Sequence, residues 1–230
     1  MKKNISNYLN ERRIYHKIKH NKIITRRSET TIPKFNKDLA YITGVIVGDG
    51  AMVITPRKKG GNHYVLSIFS NSKEYLLYLN LLFKKYFGRE SRIYKDKRHE
   101  VHSLVIQVAA IFFYFVNIGL PIGKSEEEFI PNIIKSNKIY FIEYISGLID
   151  TDGHISSPRR IQLKQKSKDL LLEIVDFLNG NGVQCNIPKV NYTNNKPYWY
   201  IIFDNKIKLR FKRRYSSVVE HQFCRLIQKN

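Results

Sequence analysis

Ten residues recur. The stretch Tyr41-Ile-Thr-Gly-Val-Ile-Val-Gly-Asp-Gly50 returns as Tyr144-Ile-Ser-Gly-Leu-Ile-Asp-Thr-Asp-Gly153, displaced by 103 positions. Behind each copy the likeness continues. Ser67-Ile-Phe-Ser-Asn-Ser-Lys-Glu-Tyr-Leu-Leu resembles Gln162-Leu-Lys-Gln-Lys-Ser-Lys-Asp-Leu-Leu-Leu at a displacement of 95, and Ile111 to Phe115 matches Ile207 to Phe211 at 96. The shorter displacement fits a longer loop in the first half, at Lys58-Lys59-Gly60-Gly61. Divergent segments that keep their order and spacing read as two copies of one supersecondary unit, so a fold for one half has to serve the other.

Each copy reads the same way. An apolar helix ends at Asp-Gly, and two strands follow around a polar turn. A helix then opens at Ser72 or Ser167, with an acid in its first turn and a Leu-rich face. That face is Leu76, Leu79, Leu82 and Phe83 in one half, and Leu171, Ile174, Val175 and Leu178 in the other. The helix closes at Gly88 in the first half and at Gly180 or Gly182 in the second. Two further strands and a final helix complete the unit. The expected class is α+β, a duplicated αββαββα unit with pseudo-twofold symmetry, antiparallel sheets and two central packed helices. The expected organisation is a basic N-terminal extension (1–37), a first half (38–118), a linker with Pro121 and Pro131 (119–138) and a second half (139–230).

Charge narrows the partner. Forty Lys and Arg face 19 Asp and Glu, a net +21, and such an excess costs self-repulsion unless a polyanion offsets it. With 15 Tyr and 13 Phe, nucleic acid is the expected polyanion. An anionic membrane surface is the second candidate for that charge, but no run of 18 apolar residues exists to span a membrane, and no membrane partner is expected. The extension carries ten Lys/Arg before residue 37 against Glu11 and Glu29, and its helical periodicity is weak; it reads as an arm that orders on DNA, with a flexible solubilising extension as the alternative. It lacks a secretory apolar segment, and two cysteines, Cys185 and Cys224, are too few for a disulfide framework or a Cys-based zinc site. The expected location is a prokaryotic cytoplasm, with an organelle as the alternative.

The paired Asp-Gly helices carry the chemistry. Gly44 and Gly48 stand four apart, as do Gly147 and Thr151, so each helix has a strip of small residues along which two backbones can approach. Val45, Ile46, Leu148 and Ile149 flank those strips and are expected to pack beneath the sheets. Helices joined along the strips deliver Asp49 and Asp152 to neighbouring points at their C-terminal ends. Two carboxylates and two negative helix ends repel, and divalent metal with DNA phosphate removes that repulsion. Gly50 and Gly153 are expected in left-handed conformation, where each helix must stop.

These two segments resemble the LAGLIDADG signature of homing endonucleases in its single-chain, two-motif form, and the resemblance extends over about residues 38–215. It implies a saddle-like sheet arrangement, two or three divalent ions (Mg2+ or Mn2+), and metal contacts from the backbone carbonyls of Gly48 and Thr151 beside Asp49 and Asp152. It further implies double-strand cleavage, one strand per carboxylate, with water as nucleophile. Motif 1 departs from the signature with Val47 where motif 2 has Asp150, a position that is not a metal ligand in the family. Basic or polar residues around the metals are implied at Gln162 and Lys166 in the second half and at Ser67 and Asn71 in the first. Lys124 is a further candidate, and Arg213 and Arg214 hold a similar place in the second half. These would stabilise developing charge or orient water.

The strands carry the reading surface. Arg160, Gln162, Lys164 and Lys166 share one face of a strand whose other face has Ile161 and Leu163, a pattern that suits a sheet laid in the major groove. The first half has Val65, Ser67, Phe69 and Asn71 at matching parity, a less polar face. Turns and flanking strands add Arg57, Lys58, Lys59, Arg92, Tyr94, Lys95, Lys97, Arg98, Arg159, Lys189, Asn191, Tyr192, Asn195 and Lys196, and Lys206 to Arg214 reads as a phosphate-contacting helix edge. Because the halves differ, the expected partner is duplex DNA with a long, asymmetric site, bound by a monomer. Intron RNA, bound by a splicing cofactor (maturase), and a non-catalytic DNA-binding regulator are the alternatives that share this fold.

Overall fold

The computed structural model describes residues 1–230 apart from 27, 59, 97–99, 124–128, 158–159, 194–195 and 205–230; at 2, 155–157, 193 and 204 only the backbone is described. The chain forms two compact units. One comprises Met1–Asn36 and Asp49–Lys124, the other Lys37–Gly48 and Ser125–Asn230. The first motif helix therefore groups with the second half of the sequence.

The first unit opens with a folded segment, which corrects the expectation of an arm ordered only on DNA. Helix α1 (Lys2–Glu11) is followed by a small antiparallel sheet of β1 (His16–Lys19), β2 (Lys22–Thr25) and β3 (Glu29–Thr31). Ile5, Leu9, Ile23 and Ile32 are buried, and Tyr8 stacks on Phe113 with ring centres 5.4 Å apart. The Arg12 guanidinium lies 5.0 Å from the Phe113 ring centre. Ile5, Tyr8 and Leu9 sit at helical spacing, but over one short helix and strands of three or four residues the period is too brief to stand out.

After the first motif helix, α2 (Lys37–Asp49), come β4 (Gly50–Pro56), β5 (Asn62–Ser70), α3 (Lys73–Phe87), β6 (Arg92–Lys95), β7 (His102–Ile106) and α4 (Ala109–Ile118). The strands form an antiparallel sheet in the order β4-β5-β7-β6. One sheet face buries Met52, Leu66, Ile68, Leu104 and Ile106. Tyr64, Phe112 and Phe113 cluster in this unit, as do Phe83, Phe87, Tyr114 and Phe115. Ser72 caps α3 by accepting from the Tyr75 N–H at 3.1 Å, and Gly88 ends it in left-handed conformation at φ 67°.

The second unit adds to α2 a short helix α5 (Asn132–Lys135), the second motif helix α6 (Lys138–Asp152), β8 (Gly153–Ser157), β9 (Arg160–Gln165), α7 (Lys168–Gly180), β10 (Lys189–Thr193) and β11 (Lys196–Asp204). Its sheet order is β10-β11-β9-β8, which is the order of the first sheet read from the other edge. The duplication seen in sequence is thus a duplication of topology, in an α+β fold. Ser167 caps α7 through the Leu170 N–H, and Phe141 stacks on Phe177. The closing helix expected in this half, with Lys206 to Arg214, lies outside the described residues. No helix among the described residues is long and apolar enough to cross a membrane.

Candidate metal centre and nucleic-acid surface

Helices α2 and α6 pack backbone to backbone. A Cβ added at Gly44 would lie 2.1 Å from the Tyr144 carbonyl oxygen, and one at Gly147 would lie 2.3 Å from the Tyr41 carbonyl oxygen and 2.8 Å from the Val45 nitrogen. Neither site has room for any side chain. Further along, a Cβ at Gly48 would meet Thr151 Oγ1 at 2.0 Å and Asp152 Oδ2 at 2.8 Å. The Asp152 carboxylate therefore lies against Gly48, the residue bonded to Asp49. Val45, Ile46, Leu148 and Ile149 are all buried, as their flanking positions imply.

The helix ends differ from expectation at one point. Gly153 opens β8 in extended conformation, at φ −82° and ψ 136°, and Gly50 opens β4 with no left-handed turn. Strand pairing begins at once, with Gly50 opposite Ile68 and Gly153 opposite Leu163, so no residue is left over for a left-handed cap. Close approach explains the second glycine instead. A Cβ at Gly153 would lie 2.4 Å from the Ile149 carbonyl oxygen.

One hydrogen bond ties the motifs to each other, and a second anchors motif 2 to its own sheet. The Tyr41 hydroxyl of motif 1 donates to Asp150 Oδ2 of motif 2 at 2.7 Å. The reciprocal position to Asp150 is Val47, which has no acceptor, so this bond is specific to one motif pairing. Tyr41→Phe is expected to lower stability by about 1–3 kcal/mol, the usual cost of losing a partly buried bond to a charged group; urea midpoints check it. The second bond comes from a residue the sequence reading missed. Gln165 Nε2 donates to Asp152 Oδ2 at 2.8 Å. Its signal was available: Gln165 falls at the parity of Ile161 and Leu163, and an amide at a core position needs a polar partner. Gln162 and Lys166 lie at the opposite parity of that strand, half-buried and exposed respectively.

Burial raises the carboxyl of Asp49 above its ordinary range. A carboxyl shifted upward binds its proton more tightly folded than unfolded, so it opposes folding at pH values above both pKa values and loses that effect as pH falls below them. Asp49→Asn should therefore raise the melting temperature of the metal-free protein at neutral pH, by roughly 2–4 °C for each kcal/mol of penalty removed. Calorimetry in chelator checks it, and the gain should vanish on acidification. Burial also pushes the Cys185 thiol up to about 12, which disfavours the thiolate form.

The carbonyls of Gly48 and Thr151 belong to the last helical turn, where no intrahelical N–H reaches them. The Thr151 hydroxyl is occupied within its own helix, donating to Gly147 O at 3.2 Å and Leu148 O at 3.1 Å. Among the described residues no three His, Cys, Asp or Glu side chains gather as a metal cluster. Any cation held at these helix ends has to complete its shell from carbonyl, water or phosphate oxygens.

The two outer sheet faces contrast. In the second unit Arg160 and Lys164 are exposed and Gln162 half-buried on β9, while Ile161 and Leu163 are buried. Lys189, Tyr200 and Lys164 lie in one cross-strand row, and the Lys164 ammonium stands 5.5 Å from the Tyr198 ring centre. Lys189, Asn191 and Tyr192 on β10, and Lys196 on β11, are exposed. In the first unit Ser67 is half-buried and Phe69 exposed on β5, Asn71 is exposed before α3, and Arg92, Tyr94 and Lys95 are exposed on β6. Arg57 is half-buried and Lys58 exposed at the β4–β5 turn. Lys59, Lys97, Arg98, Lys124, Arg159, Asn195, Arg213 and Arg214 lie outside the described residues.

Comparison with known proteins places the fold. Residues 141–215 match the family model of the LAGLIDADG-like domain. The crystal structure of I-DmoI in complex with DNA and Mn is 22% identical, with a TM-score of 0.57 over 73% of this chain and 89% of that one. A variant of I-DmoI with its target DNA in the presence of Mg is 20% identical, with a TM-score of 0.58 over 73% and 88%. A curated DNA polymerase of Thermococcus sp. (strain GE8) is 24% identical over 150 residues, 65% of this chain; the match spans only 8% of the polymerase's length. Residues 141–215 thus resemble a LAGLIDADG-like domain, and over 73% of its length the chain has the duplicated fold seen in LAGLIDADG homing endonucleases such as I-DmoI.

Proposed function

We propose that this chain is a site-specific double-strand DNA endonuclease, intron-encoded, in which Asp49 and Asp152 hold Mg2+ or Mn2+ at the scissile phosphates. The observation that carries the reading is the α2–α6 contact, which seats Asp152 Oδ2 beside Gly48, one bond from the Asp49 residue. A helix pair this close, ending in two acids, has a use for a cation that a plain pair of helix ends lacks. The fold shared with I-DmoI, whose structures hold DNA with Mn or Mg, supports it.

The donor set fits a hard divalent ion: two carboxylates, with the backbone carbonyls of Gly48 and Thr151 as further oxygens, and the remaining positions left to water and phosphate. When bound, the ions, two or three in number, supply Lewis-acid stabilisation of the phosphate and a more acidic water. The chain's own side chains do the rest. Gln165 fixes Oδ2 of Asp152 through its amide N–H, so the carboxylate keeps one orientation. Gln162, Lys166 and Lys124 orient water or stabilise charge developing on the phosphate. In the first half Ser67 and Asn71 hold the places of Gln162 and Lys166, so the two strands are cut at unequal rates. One chain supplies both motifs and acts as a monomer on a long, asymmetric duplex site. Incubation with a plasmid library in magnesium should linearise one class of sequence; a library left intact contradicts the reading.

A further inference from the structure

The first unit's sheet presents an outer face unlike its counterpart. Val53 pairs with Val65, Ser67 with Val105, and Phe69 with Ser103, which in turn pairs with Tyr94. Val53 is 37% exposed, Phe69 44% and Tyr94 49%. Arg92, opposite Val105, is the single Lys or Arg in these rows among the described residues. The equivalent face of the second unit carries Arg160, Lys164 and Lys189. The cations around this sheet stand at its edges, at Arg57 and Lys58 in the β4–β5 turn and at Arg92 and Lys95 on the edge strand β6.

An apolar centre with a basic rim has one good fit on duplex DNA. Rim cations meet phosphates, which position the sheet without reading sequence. The centre then faces base edges, and the apolar group offered there by the major groove is the C5-methyl of thymine. A guanine–cytosine pair offers no methyl there, and Val53, Val65 and Phe69 would strip the hydration of its polar atoms without replacing it. We infer that the first unit's sheet reads thymine methyl groups, so that its half-site is thymine-rich while the second unit's half-site is read through Arg160, Gln162 and Lys164. The inference rests on the endonuclease reading and names the substrate of half of that surface.

The test removes methyls alone. A target recovered from the library is resynthesised with deoxyuridine in place of thymine, in one half-site at a time, and Kd is measured in calcium. One buried methyl is worth about fourfold in affinity. Three substitutions in one half-site should therefore weaken binding roughly 60-fold, and three in the other should leave it within about twofold. Val65→Ala with Phe69→Ala should bind unmodified DNA more weakly and lose most of that deoxyuridine penalty, which identifies the half-site beneath this sheet. Cleavage of the unmodified target with no deoxyuridine penalty, or with a penalty that survives the double substitution, overturns the inference and leaves the nuclease standing. Recovery of no bound sequence overturns both.

Discussion

Gly44→Ala and Gly147→Ala should each destabilise the second unit by about 3 kcal/mol or more, at the upper end of the cost of overpacking a tight interface. A methyl at Gly44 meets backbone, Tyr144 O at 2.1 Å, and one at Gly147 meets Tyr41 O at 2.3 Å. Backbone atoms inside a helix cannot rotate aside as a side-chain tip does, so the helices themselves must part. Separation would also lengthen the Tyr41–Asp150 hydrogen bond, which spans the same interface. Gly48→Ala makes a useful contrast, because the atoms its methyl would meet first belong to the side chains of Thr151 and Asp152. It should cost less stability and more activity, since it pushes the carboxylate proposed to hold metal. Urea denaturation of the three variants checks the order. Equal, small effects at Gly44 and Gly147 would mean that the helices are not held together by backbone contact.

The second large effect concerns the acids. Asp49→Asn and Asp152→Asn should each lower cleavage by at least roughly 10³-fold, while duplex affinity in calcium changes little. An amide keeps the shape and one acceptor oxygen of the carboxylate but loses the charge that attracts a hard cation. The two variants should differ in one respect. Asp152→Asn also weakens a charge-assisted hydrogen bond from Gln165, so its residual stability should fall, whereas Asp49→Asn relieves a partly buried charge and gains stability without metal. A shared loss of activity with opposite shifts in melting temperature would separate metal binding from general unfolding.

Much of this was legible in the chain. The repeat announced the duplicated topology, and Ser72, Ser167 and Gly88 marked helix ends because capping is a local interaction that local sequence encodes. The strips at Gly44 and Gly147 read correctly as close-approach sites, since only small residues permit such contact. Three features were hidden. The fold of the first 36 residues depends on Tyr8 meeting Phe113, a contact more than a hundred residues apart that no short window reveals. Gly153 carried the right residue for a different reason, crowding by Ile149 O in place of a left-handed turn. Gln165 is hard to single out because the basic and amide pattern of β9 lies on its exposed parity, while the partner of Asp152 stands on the buried one.

The most direct measurement follows both strands of the recovered target, each labelled at its own end, with wild type and the Asp49→Asn/Asp152→Asn double variant in magnesium. Wild type should cut both strands at different rates, and chelator should stop both; the double variant should bind the duplex and cut neither. Cleavage by the double variant at the wild-type rate would contradict the assignment of these two aspartates as the metal-holding groups.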